Sequence, residues 1–251
     1  MTFDIRSRLA QDKPCIGGWL TVPSPAVAEA MASCGFHWVA VDMEHNAFDE
    51  PAVMAAFAAI ERHGAAPFAR LSSADPYQAR RVLDMGAVGL IVPVVESADD
   101  FATFAKHCFY PPKGKRGVGL GRANLWGDTF ESYTSTFEPL LIPQIETRRG
   151  ADAVAEIVAL AAVSGVFIGP YDLSADMGIP GAFNDPRFKA VLNNIFARCR
   201  KAGKAPGIHH VQADLNGLKE KIAAGFRFVA YSTDMTAMRH VLTGIRPDFL
   251  A

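Results

Sequence analysis

The sequence predicts a TIM (β/α)8 barrel with a short N-terminal helix, as one domain over residues 1–251. Three observations predict it. Eight short apolar runs alternate with helical stretches, and eight such units in 251 residues is the arithmetic of that barrel. The runs are continuously apolar, which suits parallel strands buried on both faces. Several follow a small residue and a glycine, where a helix can close in the left-handed conformation. A doubly wound open sheet is the alternative, but no Rossmann glycine fingerprint appears.

The elements follow in order. The segment before Ile16 reads as a short helix covering one end. Strands are expected at 16–20, 38–41, 67–71, 90–94, 140–145, 166–168, 205–209 and 228–232. Ser24-Pro25, Glu50-Pro51, Asp75-Pro76 and Asp185-Pro186 place a proline in a first helical turn, and Ser24, Asp75 and Asp185 can cap its free amides. Cys34-Gly35, Met85-Gly86, Ser164-Gly165 and Ala224-Gly225 mark helix ends. The repeat breaks at 110–137, a long Gly-, Pro- and Arg-rich stretch that suggests an active-site wall or a subunit contact. A short extra turn is expected within 172–180.

Composition narrows the function classes. The 25 basic and 26 acidic residues nearly cancel, so neither nucleic acid nor an anionic membrane is expected as a partner. Cys15, Cys34, Cys108 and Cys199 form no C-x-x-C pair, which fits a reducing cytoplasm. The N-terminus shows no apolar signal segment, and Asp152 and Glu156 interrupt the most apolar stretch, 151–169.

In such a barrel the chemistry gathers at the C-terminal strand ends. Those ends carry Trp19, the run Asp42-Met43-Glu44-His45, Arg70, Gln144, Glu146, Gly169-Pro170-Tyr171-Asp172, His209-His210 and Ser232-Thr233-Asp234. Carboxylates, an arginine and a histidine converging on one axis are costly to bury unless something pairs them. Glu146 and Asp172 lie at matching ends of consecutive strands, as a hard cation such as Mg²⁺ or Mn²⁺ needs when it must still bind substrate. Arg70 can grip a carboxylate or oxyanion, and His45 is of the residue type that moves protons near neutral pH. Singly, each has an ordinary reading: a solvated acid, a structural ion pair, a histidine bonded to a carbonyl. Residues 117–121 resemble a phosphate loop but lack the Walker lysine. His209 and His210 are adjacent, so on a strand their rings face opposite ways. No lysine falls at a C-terminal strand end, and Lys204 precedes strand seven, which argues against Schiff-base chemistry.

Several stretches together resemble the HpcH/HpaI family of metal-dependent pyruvate aldolases. They are Ile16-Gly17-Gly18-Trp19, Val41-Asp42-Met43-Glu44-His45, Phe68-Ala69-Arg70 and Leu83 through Pro93. They continue with Tyr110-Pro111-Pro112 to Gly119, Pro143-Gln144-Ile145-Glu146-Thr147 and Phe167 through Ser174. The resemblance implies a TIM barrel, assembled as a homo-hexamer of swapped dimers. It implies Glu146 and Asp172 as ligands of a divalent metal ion, Mg²⁺ or Mn²⁺, with Co²⁺ and Zn²⁺ as further candidates. Gln144 would lie beside metal and substrate, Arg70 would stabilise a pyruvate enolate, and His45 with Asp84 would form an acid–base dyad. The backbone from Pro170 through Tyr171 to Asp172 would bind the pyruvate carboxylate. The family usually has alanine where this chain has Tyr171, a departure that alters the pocket. Trp19 and residues 20–23 would line the aldehyde end, and Asp42 and Arg122 resemble residues that reach a neighbouring subunit. The implied substrates are pyruvate or another 2-keto acid and an aldehyde. The implied reaction is reversible aldol cleavage of 4-hydroxy-2-keto acids. A citrate-lyase β-type acyl-CoA lyase, using Lys113, Lys115 and Arg116 for the thioester's carrier, is the enzymatic alternative; a non-catalytic keto-acid-binding barrel is the other.

Overall fold

The computed structural model describes residues 3–243. Eight parallel strands close into a barrel in sequence order. They are β1 (Cys15–Leu20), β2 (Trp38–Asp42), β3 (Ala66–Arg70), β4 (Gly89–Val92), β5 (Leu140–Ile145), β6 (Gly165–Ile168), β7 (Ala205–His210) and β8 (Phe228–Tyr231). β1 pairs with β2 on one side and with β8 on the other, which shuts the sheet. Closure removes both sheet edges, so every strand is flanked by two neighbours.

Two cores result. Leu20, Val41, Leu90, Ile145 and Val229 point outward and bury the surrounding helices. Inside the barrel, Trp38, Phe68, Phe167 and Phe228 form an aromatic column. Trp38 stacks on Phe228 with ring centres 4.1 Å apart. Glycine makes room for these rings. A Cβ at Gly17 would fall 2.1 Å from the Trp38 ring, and one at Gly89 would fall 2.2 Å from Phe68. Near the mouth the column continues through Phe167 to Trp19, at 5.6 Å between centres. The expected N-terminal helix is Ile5–Ala10, whose buried Ile5 and Leu9 join the interior cluster.

Strand positions agree with the sequence expectation to within two residues at each end. Two of the positions that overran are informative: Val94 and Ser232, expected in strands, lie just beyond them with φ of 51° and 55°. Asp75 and Asp185 cap their helices as expected, accepting from Tyr77 and Arg187 amides. Ser24 makes no such bond, and Asp49 caps the helix Glu50–Arg62. Gly165 begins β6, whereas Gly35, Gly86 and Gly225 close helices at positive φ. The expected extra turn is the helix Pro170–Asp176.

The 110–137 stretch does not wall this chain's own mouth. It joins the helix Ala98–Ala105 to β5, and helix-to-strand connections lie at the N-terminal end of a barrel. It folds there as a 3₁₀ turn, Arg122–Gly127, and a helix, Phe130–Thr136. Among the described residues no helix is long and apolar enough to cross a membrane.

Candidate active site

The mouth is built on Arg70, the last residue of β3, which stands opposite Asp42 at the end of β2. Its Nε and Nη2 donate to the two Asp42 oxygens at 2.8 and 2.7 Å. Nη1 lies 3.0 Å from a Glu44 oxygen, and the guanidinium sits 4.8 Å from the centre of the buried Trp19 ring. The side chain is 12% exposed. Burial alone would raise the Asp42 carboxyl, but the hydrogen bonds and charge of Arg70 hold it below the ordinary aspartate range. Asn46 adds a donor to Asp42 at 2.7 Å.

Glu146 follows β5 and is 6% exposed. One oxygen accepts from the Val94 amide at 2.7 Å, and the other accepts from the Gln144 side chain. Val94 is β-branched and left-handed, an outlier conformation that turns its N–H onto the carboxylate. Burial pushes the Glu146 carboxyl up; these two bonds pull it back, and the Glu44 and Asp172 charges push it up again. Glu44 is likewise raised, chiefly by burial, against the pull of Arg70. The Gln144 Oε1 is buried without a hydrogen-bond partner.

Gly169 explains how β6 approaches this group. A Cβ there would lie 2.8 Å from both Cβ and Oε2 of Glu146. Its absence lets the chain enter the helix Pro170–Asp176 directly beside the carboxylate. Asp172 is exposed in that helix's first turn, and Pro170 occupies the first helical position. Tyr171 is exposed on the rim.

Four acids thus gather at the mouth: Asp42 and Glu44 pair with Arg70, and Glu44 and Asp172 lie close enough to raise Glu146. Among the described residues no three His, Cys, Asp or Glu side chains cluster tightly enough to hold a metal alone. Two carboxylates, surplus negative charge and an unpartnered amide oxygen fit a hard divalent cation that keeps positions open for substrate.

His45 reaches the same face but is 68% exposed, with Nε2 3.8 Å from Glu44. Asp84 does not join it within this chain. Asp84 ends the helix Pro76–Asp84, which runs down from the mouth, so it lies where β4 begins. There it accepts from Arg116 at 2.6 Å. Helix polarity in a barrel carried that signal.

The sequence reading left Glu44, Val94, Asn46 and Asp234 without assigned roles. The Asp234 carboxylate accepts from the Thr21 and Val22 amides at 2.9 and 2.8 Å, fixing the loop after Trp19. His209 and His210 do face opposite ways. His209 lies against Trp19, with ring centres 4.8 Å apart, while His210 pairs with Asp214 at 3.0 Å. Burial lowers His209 to about 4, so it is neutral at pH 7.

The HpcH/HpaI aldolase/citrate lyase family model matches residues 16–241. The chain belongs to this family. A family relative from Shigella sonnei, a 4-hydroxy-2-oxo-heptane-1,7-dioate aldolase, is 34% identical over 252 residues, covering 99% of this chain and 95% of the relative. Among solved structures, an HpcH/HpaI aldolase/citrate lyase family protein from Burkholderia cenocepacia is 32% identical. It superposes with a TM-score of 0.89 over 97% of this chain and 99% of its own. A citrate lyase beta subunit from M. tuberculosis, complexed with oxaloacetate and magnesium, shares the fold at 18% identity. Its TM-score is 0.61 over 96% of this chain and 100% of its own.

Proposed function

We propose that the protein is a class II pyruvate aldolase, cleaving 4-hydroxy-2-keto acids reversibly to pyruvate and an aldehyde. The observation that carries this reading is the mouth itself: buried Glu146 with Asp172 near it, beside an arginine paired to Asp42 and Glu44. Glu146 and Asp172 would hold the divalent cation, Mg²⁺ or Mn²⁺, which supplies a Lewis acid for a keto oxygen when bound. A guanidinium has five N–H donors. Asp42 accepts from Nε and Nη2 of Arg70, while Glu44 is ion-paired 3.0 Å from Nη1 without a hydrogen bond, so a donor on Nη2 and those on Nη1 remain for substrate. Those donors stabilise the charge that develops on the keto oxygen as the pyruvate enolate forms. The amides of Tyr171 and Asp172 fall in a first helical turn, where no intrahelical acceptor exists, and they suit the pyruvate carboxylate. Gln144 positions Glu146 and offers its free oxygen to the site. Trp19 floors the pocket, and His45 moves the proton at the aldehyde-derived hydroxyl.

Asp84 supports His45 only if a second copy of the chain brings it to the mouth, because the two lie at opposite ends of one barrel. If the dyad forms, that requirement calls for an oligomer, of which the expected homo-hexamer is one. An oligomer is also supported by the helix Asp234–Leu242, which buries no residue and exposes Met235, Met238, Val241 and Leu242. A cytoplasmic setting belongs to the same proposal.

The acyl-CoA lyase reading is weaker. Arg116 is buried and Lys113 pairs with Glu138, so the basic loop meant for a thioester's carrier is engaged at the end away from the mouth. The test is exchange of the pyruvate methyl protons in D₂O, followed by NMR with EDTA and after Mg²⁺ or Mn²⁺ is restored. Metal-dependent exchange is expected. Exchange that survives full chelation overturns the metal assignment, and no exchange at all overturns the pyruvate reading.

A further inference from the structure

We propose that His209 is a substrate-binding residue: its Nδ1 accepts a hydrogen bond from a hydroxyl on the aldehyde half, so the site selects hydroxylated aldehydes over carboxylated or plain ones. The inference rests on the aldolase reading and adds the class of aldehyde.

His209 is half-buried on β7, two residues after Gly207, whose missing Cβ faces Phe167 inside the barrel. His209 therefore shares the interior face. Its ring and the Arg70 guanidinium each lie 4.8 Å from the Trp19 ring, so one indole connects the enolate-stabilising donor to this imidazole. The Nε2 of His209 lies 2.9 Å from the Ser232 carbonyl oxygen. A carbonyl only accepts, so Nε2 carries the proton and donates. Ser232 is itself left-handed, at φ 55°, and buried. Strain of this kind persists where the surroundings over-determine it, and here it turns a carbonyl onto one ring nitrogen.

The consequence is a fixed tautomer. With Nε2–H committed and the ring neutral, Nδ1 has a lone pair and no proton. Among the described residues nothing hydrogen-bonds it. An acceptor of this kind matches a hydroxyl. It has nothing to offer a carboxylate, which would also meet the charge of Asp42, Glu44, Glu146 and Asp172. Protonation of the ring, which would reverse the preference, is opposed by burial and by the Arg70 charge. A site built to hydrogen-bond a hydroxyl discriminates against the analogue without one.

The test uses the whole purified protein with Mg²⁺ and pyruvate, and three aldehydes. Glycolaldehyde carries the hydroxyl, propanal is its near-isostere without it, and succinic semialdehyde carries a carboxylate. The wild type is expected to favour glycolaldehyde over propanal by about tenfold in kcat/KM, the worth of one hydrogen bond. Succinic semialdehyde should rank no higher than propanal. His209→Phe keeps a ring on Trp19 and deletes the acceptor. It should erase the glycolaldehyde preference through KM while leaving pyruvate methyl exchange unchanged. His209→Asn, which keeps a polar atom near the Nδ1 position, should retain most of the preference. A wild type that does not favour glycolaldehyde, or a His209→Phe enzyme that still does, overturns the proposal. The wild-type comparison decides it even if a variant fails to fold. Methyl exchange separates the two failures: exchange without the preference sinks only the role of His209, and absence of exchange sinks the aldolase reading with it.

Discussion

Arg70 and Arg116 stand at opposite ends of the barrel and are neutralised by different means. Arg70 meets two carboxylates, Asp42 and Glu44, and Glu44 in turn lies near Glu146 and Asp172. Arg116 is fully withdrawn from water, and its one carboxylate partner, Asp84, is 45% exposed. The rings of Tyr110, Tyr133 and Phe137 surround it, with centres 4.5, 5.9 and 5.6 Å from the guanidinium carbon. Aromatic faces attract a cation without adding a titratable charge. At the lower site one carboxylate balances the charge, and the buried Nε and Nη1 of Arg116 have no hydrogen-bond acceptor and meet only aromatic rings. The mouth carries more acid than one arginine can offset, and that imbalance makes it receptive to a cation. The difference teaches that a buried arginine marks chemistry when the acids around it outnumber it.

The sharpest way to break this contrast is Glu146→Gln. It removes a charge from the surplus while keeping shape. Metal-dependent turnover should fall about 10³-fold or more, since a Lewis acid is worth several kcal/mol. Thermal stability should hold or rise, because a desolvated carboxylate among like charges is gone. Near wild-type activity at saturating metal would remove Glu146 from the ligand set.

Arg70→Ala comes next. Pyruvate methyl exchange should slow about 10²-fold or more, by analogy with loss of an oxyanion donor. The same variant leaves Asp42 buried without its counter-charge, so its carboxyl should titrate higher by NMR. Exchange at the wild-type rate would reduce Arg70 to a structural ion pair.

Arg116→Met tests the other arginine. It keeps volume but loses the cation–ring contacts and the bond to Asp84, a cost of about 2 kcal/mol in denaturant unfolding. A variant as stable as wild type would show that the aromatic cage contributes nothing net.

The smallest expected effect concerns pH. A histidine in the unfolded chain titrates near 6.5, and His209 in the fold at about 4. Between those values the unfolded chain binds the extra proton, so this contribution to stability is full above 6.5 and is lost as pH falls toward 4. The melting temperature of wild type measured relative to His209→Phe should drop as pH falls through that range. Parallel curves would mean that His209 is not buried neutral.

Much of this molecule is legible in its sequence because the signals are local. A continuous apolar run at 38–41 after a helix-closing glycine reads as a strand buried on both faces, and Asp42 at its end then belongs to the mouth. The same logic carries Arg70 and Glu146. Legibility fails where a residue's role depends on distant chain. Val94 reads as one more strand valine, and only the carboxylate 52 residues later explains its left-handed backbone. Asp84 reads as a dyad member by resemblance, yet the direction of its helix carries it away from His45. The 110–137 stretch looks like an active-site wall until its place between helix and strand is counted.

The order and alternation of buried runs therefore determined the fold, the mouth and the residue types gathered there, because burial on both faces imposes composition locally. Only the tertiary structure decided which acids share Arg70, which backbone amide braces Glu146 and which nitrogen of His209 stays open. Those choices depend on distances of a few ångströms between strands far apart in the chain, and hydrogen bonds are decided at that scale.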